Sequence, residues 1–284
     1  MRLLHAILSG ALLLGVFVVG VAPADDSPGR SDHHAQGVPG DTVARPNVVV
    51  ILADDLGYGD LSPYGGPIEA PYLERLADGG LRFTDFHSSG TVCSPTRAGL
   101  LTGRYQQRAG IPWVVFANPA QEAHYHGLQQ SEVTLAERLR AEGYRTALFG
   151  KWHLGYQPEY RPTRHGFDRF RGFLSGNVDY FSHVDQAGNR DWWSGSRLVR
   201  EEGYVTDLLT EHATDFIERN QDRPFFLYLA HAAPHYPFQG PGDSYDRMPG
   251  GDFPVQGSRS DRAAAYREMV RALDRSVGRV IEVL

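Results

Sequence analysis

Cysteine is nearly missing from this chain: Cys93 stands alone in 284 residues. That excludes an internal disulfide, and with it the stapled frameworks on which many small exported domains depend. There is no basic block either. Lys and Arg number 28 against 34 Asp and Glu, a formal charge of -6, so a phosphate backbone finds no electrostatic footing and nucleic acid is not an expected partner. Any attraction for anions must be local. Internal repeats and low-complexity tracts are absent, which excludes solenoid and fibrous architectures. The one extended apolar stretch, Ala6 to about Val21, is short for crossing a bilayer core of roughly 30 Å, so no stable membrane anchor is expected.

What is present divides the chain into three parts. Residues 1–24 carry Arg2, the apolar stretch and the small-residue pattern Ala22-Pro23-Ala24, the layout of a signal peptide cut after Ala24; an exported, periplasmic or secreted protein follows. Residues 25–46, rich in Gly, Pro and Asp, hold too little apolar surface to offset the entropy of ordering and read as a linker. Its His33 and His34 are taken as a solvated pair. Residues 47–284 form one globular domain, in keeping with 41% hydrophobic residues in the chain.

Within that domain three short apolar runs, Asn47–Ala53, Arg145–Gly150 and Pro224–Ala230, have the density of strands covered on both faces. Each ends in polar chemistry: Asp54-Asp55, Lys151-Trp152-His153, and His231 followed by His235. Helical patterns lie between them at 70–77, at 134–142, where Thr134 and Glu137 have capping-box spacing, and at 204–220. His212, near the apolar stripe of the last, is read as a packing histidine. Strand alternating with helix implies a mostly parallel sheet with helices on both faces. Ligands of such sheets sit outside the carboxyl ends of the strands, where all three polar clusters fall.

Cys93 precedes Ser94-Pro95-Thr96-Arg97. Ser94 suits an N-cap and Pro95 the first helical position, with helix over 96–101. Cys93 is then expected beside the positive end of a helix, with the Arg97 guanidinium on its first turn, an arrangement that attracts anions. Asp54 and Asp55 facing that environment make sense around a hard cation, which takes oxygen ligands. Lys151 and His153, two apart in an extended segment, point the same way. The whole reading requires the 54–55 turn and position 93 to share one coordination sphere.

Cys-Ser-Pro-Thr-Arg followed by AGLLTGRY is similar to the signature of the type I sulfatases, in which a Cys-x-Pro-x-Arg cysteine is oxidised to formylglycine by a dedicated maturation enzyme. ADDLGYGD resembles that family's first metal-binding turn, GKWHLG its lysine and histidine segment, and FFLYLAHAAPHYPF its substrate-histidine segment. The resemblance implies an alkaline-phosphatase-like α/β/α sandwich and a sulfatase acting on an aryl or carbohydrate sulfate. It implies Ca2+ held by Asp54, Asp55 and modified Cys93, Arg97 holding the formylglycine, and Lys151 binding sulfate. His153 would be the base that releases product, His235 would lie near the leaving oxygen, and Ser175 in FLSGN would support the site. A hydrated aldehyde at 93 would offer one hydroxyl to attack sulfur and a second to release sulfate and restore the aldehyde.

The chain also departs from the family. A second metal-binding pair, a further sulfate-binding lysine and a C-terminal subdomain have no counterpart in residues 1–284, and the helical spacing of 261–284 reaches the last residue without a stop signal. The expectation is a catalytic domain truncated before its last part, with little activity by itself. Two other readings stand beside the sulfatase: a phosphatase or phosphodiesterase of the same superfamily, against which a Cys-x-Pro-x-Arg context argues, and a non-catalytic or decayed anion-binding remnant. Trp113, His124, Tyr125, His126, Trp192 and Trp193 lie in segments able to line a substrate pocket or simply to pack.

Overall fold

A computed structural model of the chain describes residues 16–21 and 45–284. The remainder of the predicted leader and the linker through residue 44, His33 and His34 included, lie outside the described residues. The three apolar runs are strands: β2 (Asn47–Asp54), β3 (Arg145–Lys151) and, near the end of the chain, the ten-residue Phe225–Pro234. The sequence pattern does not announce four further strands, β1 (Val16–Val21), β4 (Arg169–Phe173), β5 (Trp193–Ser194) and β6 (Arg197–Leu198). Counting in chain order makes Phe225–Pro234 β7. The sheet runs β1-β2-β7-β3-β4-β5-β6. Strands β2, β7, β3 and β4 are parallel, and β1, β5 and β6 add antiparallel edges.

The central strand shows why the pattern reads as continuous rather than alternating. All ten residues of β7 are buried. Phe225, Leu227 and Leu229 enter one core while Phe226, Tyr228 and Ala230 enter the other. Each Phe or Leu among them contributes about 1.5–3 kcal/mol by leaving water. The first core is covered by α1 (Pro71–Asp78), α4 (Val205–Glu218) and α5 (Arg262–Val283), the second by α2 (Cys93–Thr102) and α3 (Leu135–Ala141). Helices thus lie on both faces of a mostly parallel sheet, as the strand–helix alternation implies. The capping box predicted at α3 is present: Glu137 N–H donates to Thr134 Oγ1, and Thr134 N–H to Glu137 Oε2.

One expected boundary moves. Helix α2 begins at Cys93 with Val92 as its N-cap, and Thr96 N–H closes the first turn on the Val92 carbonyl at 3.3 Å. Ser94 is therefore inside the helix, and its hydroxyl accepts from Val115 N–H at 3.2 Å instead of capping. Pro95 is tolerated there because the first-turn N–H groups have no intrahelical acceptor in any case.

Candidate active site

The carboxyl ends of β2, β7 and β3 bring the polar clusters together. Gly150, at φ +115, lets β3 run so close to β7 that an added Cβ would overlap the Ala230 carbonyl. The next residue, Lys151, is delivered into the interior at the strand end, fully buried. Its Nζ donates to Asp54 Oδ2. Asp54, also fully buried, has its second oxygen 3.3 Å from Arg97 Nη2. Arg97, in turn, donates from Nη1 to the Lys151 carbonyl at 2.9 Å and lies 3.5 Å from the Tyr228 hydroxyl. Burial opposes ionisation of Asp54, but Lys151, Arg97 and His235 outweigh it and hold the carboxyl well below the usual carboxylate range.

Asp55 follows the strand with φ 63, and His153 follows β3 with φ 56. Left-handed backbone at residues other than glycine costs on the order of 1–3 kcal/mol and persists where surrounding structure fixes it, commonly at functional sites. Asp55 is pushed up to about 7, by burial first and then by the neighbouring Asp54 charge, with Lys151 and Arg97 opposing. The turn beyond it is fastened by Asp60, whose Oδ2 accepts from Gly57 N–H at 2.9 Å and from the Tyr266 hydroxyl of α5 at 2.6 Å.

Cys93 occupies the first position of α2, 8% exposed. Burial and then Asp54 push its thiol above the ordinary range, with Lys151 opposing. Ligand atoms of Asp54, Cys93 and His235 all lie within 4.8 Å of one another, so the end of β2 and position 93 meet at one place. His235 Nε2 is 3.5 Å from Asp55 Oδ2. The side chains of Asp54, Asp55, Cys93, Arg97, Lys151 and His235 therefore form one cluster.

The two histidines have assignable tautomers. His235 Nδ1 is 2.6 Å from the Tyr236 carbonyl and His153 Nε2 is 2.9 Å from the Val115 carbonyl. A carbonyl only accepts, so each of these nitrogens carries the proton and the other ring nitrogen presents a lone pair. Burial, then Lys151, lowers His235 to about 4. Burial, Lys151 and Arg97 hold His153 well below its ordinary value. Both are neutral acceptors at physiological pH, and His153 Nδ1 is a buried atom without a partner.

Asp55 Oδ1 is likewise buried without a hydrogen-bond donor, while Asp54 Oδ1 meets only Arg97 Nη2, at 3.3 Å. An unpartnered carboxylate oxygen beside a lone-pair nitrogen fits a divalent cation, which takes oxygen ligands by preference. The residues able to hold it are Asp54, Asp55 and an oxygen placed on residue 93, with His235 adjacent; sequence reasoning had His235 only as a substrate contact. Ser175 is fully buried and its Oγ donates to the Asn177 carbonyl at 2.9 Å, inside its own turn. His212 hydrogen-bonds Glu201 at 2.9 Å, away from the cluster. Of the aromatics, Trp192 is buried and stacked on His183, while Trp113 and Tyr125 are exposed. Sequence reasoning missed Tyr228, Tyr266 and the Val115 carbonyl. The first two stand in apolar patterns that signal packing, and a carbonyl carries no sequence signal.

Residues 46–284 match the family model described as Sulfatase. The chain is 36% identical over 257 residues to N-acetylgalactosamine-6-sulfatase of Homo sapiens, covering 84% of this chain and 46% of that protein. It is 38% identical over 241 residues to arylsulfatase A of Bos taurus, covering 73% and 45% respectively. The chain thus spans about half the length of the curated relatives it matches. Among solved structures, Ps i-CgsB superposes with a TM-score of 0.68 at 33% identity, covering 83% of this chain and 54% of the other. A second structure of that protein, in complex with k-i-k-neocarrahexaose, superposes with a TM-score of 0.67 at 32% identity, covering 82% and 53%.

Proposed function

Because the chain belongs to the sulfatase family, we propose that it carries the catalytic face of an exported enzyme that hydrolyses sulfate monoesters, with Cys93 converted to formylglycine and Ca2+ as the cation. The observation that carries this reading is the meeting of Asp54, Cys93 and His235 within 4.8 Å, beside the buried cations Arg97 and Lys151. When bound, the cation and the hydrated aldehyde would supply charge neutralisation and an oxygen nucleophile.

The chain's own residues account for the rest. Arg97 and Lys151 lie in a site walled off from water, where their attraction for a sulfate anion is strong. Arg97 is fixed by the Lys151 carbonyl and Asp54, so little reorganisation is needed as charge develops. His153, with its proton committed to Val115, presents Nδ1 to accept a proton in product release. His235, with its proton committed to Tyr236, presents Nε2 toward the leaving-group side. Ser175 serves by building the turn behind His153.

A sulfated carbohydrate is the favoured substrate class, with aryl sulfates as reporters. The support is the 36% identity to an N-acetylgalactosamine-6-sulfatase and the likeness at 32% identity to a protein crystallised in complex with k-i-k-neocarrahexaose. Partners in this proposal are that glycan and, during maturation, a formylglycine-generating enzyme. Export rests on the apolar stretch and the Ala22-Pro23-Ala24 pattern. The test is mass spectrometry of the Cys93 peptide after coexpression with the maturation enzyme, together with sulfate release from para-nitrophenyl sulfate and a sulfated oligosaccharide. A peptide lighter by about 18 Da is expected, with only slow release of sulfate by these 284 residues alone. An intact thiol and no release would overturn the reading, and release of phosphate from a phosphate ester instead would favour a phosphatase.

A further inference from the structure

The segment leaving β4, Phe173-Leu174-Ser175-Gly176-Asn177, touches the site through a residue other than its serine. Gly176 lies against the imidazole of His153: a Cβ added there would fall 2.8 Å from Cε1 and 3.0 Å from Nε2. The segment also extends the pairing of β3 with β4. Trp152 N–H donates to the Phe173 carbonyl at 2.9 Å, and His153 N–H to the Leu174 carbonyl at 3.2 Å. The backbone that presents His153 and the backbone that backs its ring are therefore one hydrogen-bonded unit.

That unit is held from behind by one carboxylate. Asp191, just ahead of β5 and 4% exposed, accepts from Leu174 N–H on both oxygens at 3.0 and 3.1 Å and from Ser175 N–H at 2.7 Å. It also accepts from Trp193 Nε1 at 2.6 Å. On the other side of the ring, Nε2 is tied to the Val115 carbonyl, and Val115 N–H to the Ser94 hydroxyl beside Cys93. The ring is thus pinned at one nitrogen and backed by a backbone surface that has no side chain.

We propose that Gly176 and Asp191 are positioning residues for His153: Asp191 fixes the 174–176 turn, and the bare Gly176 backbone sets the ring so that Nε2 stays on Val115 and Nδ1 stays an unpaired acceptor. This deepens the proposed function and rests on it for the role of His153. Gly176→Ala forces the ring away by about 0.6 Å, from 2.8 Å to an ordinary 3.4 Å contact, which lengthens the bond to Val115. Asp191→Asn places an amide N–H₂ opposite backbone donors that need an acceptor, and loosens the turn without touching the ring.

The experiment records imidazole nitrogen NMR spectra of the whole chain, with His153 assigned through His153→Gln, alongside steady-state kinetics on a sulfate ester. In Gly176→Ala the His153 nitrogen signals should move while those of His231 stay in place. The value of kcat should fall about 10- to 100-fold with KM within about twofold, since sub-ångström misplacement of a proton acceptor acts on the chemical step. Asp191→Asn should move the same signals by less and lower kcat by less; it decides the matter if Gly176→Ala does not fold. His153 signals that superpose on the parent's in the folded variants overturn the proposal. Moved signals in a parent that hydrolyses no sulfate ester uphold the positioning and overturn the sulfatase reading instead.

Discussion

Lys151 sets its ammonium on the Asp54 carboxylate from the far side of β7, so the ends of β3 and β2 are joined by a fully buried ion pair. Lys151 is also the only lysine of the chain. Removing one partner leaves an uncompensated buried charge, which is strongly destabilising. Lys151→Met should cost about 3–5 kcal/mol in urea unfolding, with Arg97 keeping the loss toward the lower end. The double variant Lys151→Met/Asp54→Asn should be more stable than the sum of the singles predicts but remain below the parent, because Asp54→Asn leaves the buried Arg97 without its carboxylate. A double variant as unstable as the sum of the singles would show that the pair does not act as a unit.

The cation proposed at Asp54 and Asp55 would stabilise the folded chain by mass action, by about 2.7 kcal/mol at a free concentration one hundred times Kd. Thermal unfolding with and without Ca2+ should show a rise in Tm, smaller with Mg2+, whose octahedral demand this donor set meets less well. Asp55→Asn should reduce the rise and Asp55→Ala abolish it. An unchanged response in Asp55→Ala would place the cation elsewhere.

His231 faces the opposite core from Cys93, with Nε2 3.0 Å from the Ser276 hydroxyl of α5, and burial lowers it to about 3. Its folded value lies below the unfolded one, so the unfolded chain takes up its proton first. The stability tied to this group is complete above about pH 6.5 and declines by about 1.4 kcal/mol per pH unit as pH falls toward 3. His231→Gln should flatten the pH dependence of unfolding between pH 4 and 6 by one proton. An unaltered slope in that window would assign acid sensitivity to other groups.

Tyr266 donates to Asp60, and Asp60 holds Gly57 in the turn that carries Asp55. Tyr266→Phe should cost about 1–2 kcal/mol. It should also speed amide exchange at residues 55–60 more than elsewhere, as read by hydrogen-exchange mass spectrometry. Uniform exchange across the chain would mean that the turn holds without α5.

The parts of the fold written plainly in the sequence are those where a pattern has a single physical meaning. Val49 to Leu52 and Phe225 to Leu229 are apolar on both sides because both faces of the sheet are covered, and Thr134 with Glu137 spells a helix start. Strand β4 escapes notice because Arg169 and Arg171 interrupt it and Gly172 carries no side chain to pack. The start of α2 shifts because the Ser94 hydroxyl finds Val115, a partner twenty-one residues away that local spacing does not disclose. The site reads the same way. Asp54, Cys93, Arg97, Lys151 and His235 were legible through their motifs. The φ of Asp55 and His153, the Lys151–Asp54 pairing and the Gly176 surface behind His153 arise only when separate strands meet.

The depth at which Cys93 lies sets an order of events. Its side chain is 8% exposed at the start of α2, with Asp54 and His235 ligand atoms within 4.8 Å of its sulfur, which leaves little for a second macromolecule to grip. If Cys93 is converted as proposed, the step would have to precede its burial, so chemical maturation and collapse of the sheet would compete for the same interval. Conditions that hasten folding should leave more of the product unconverted.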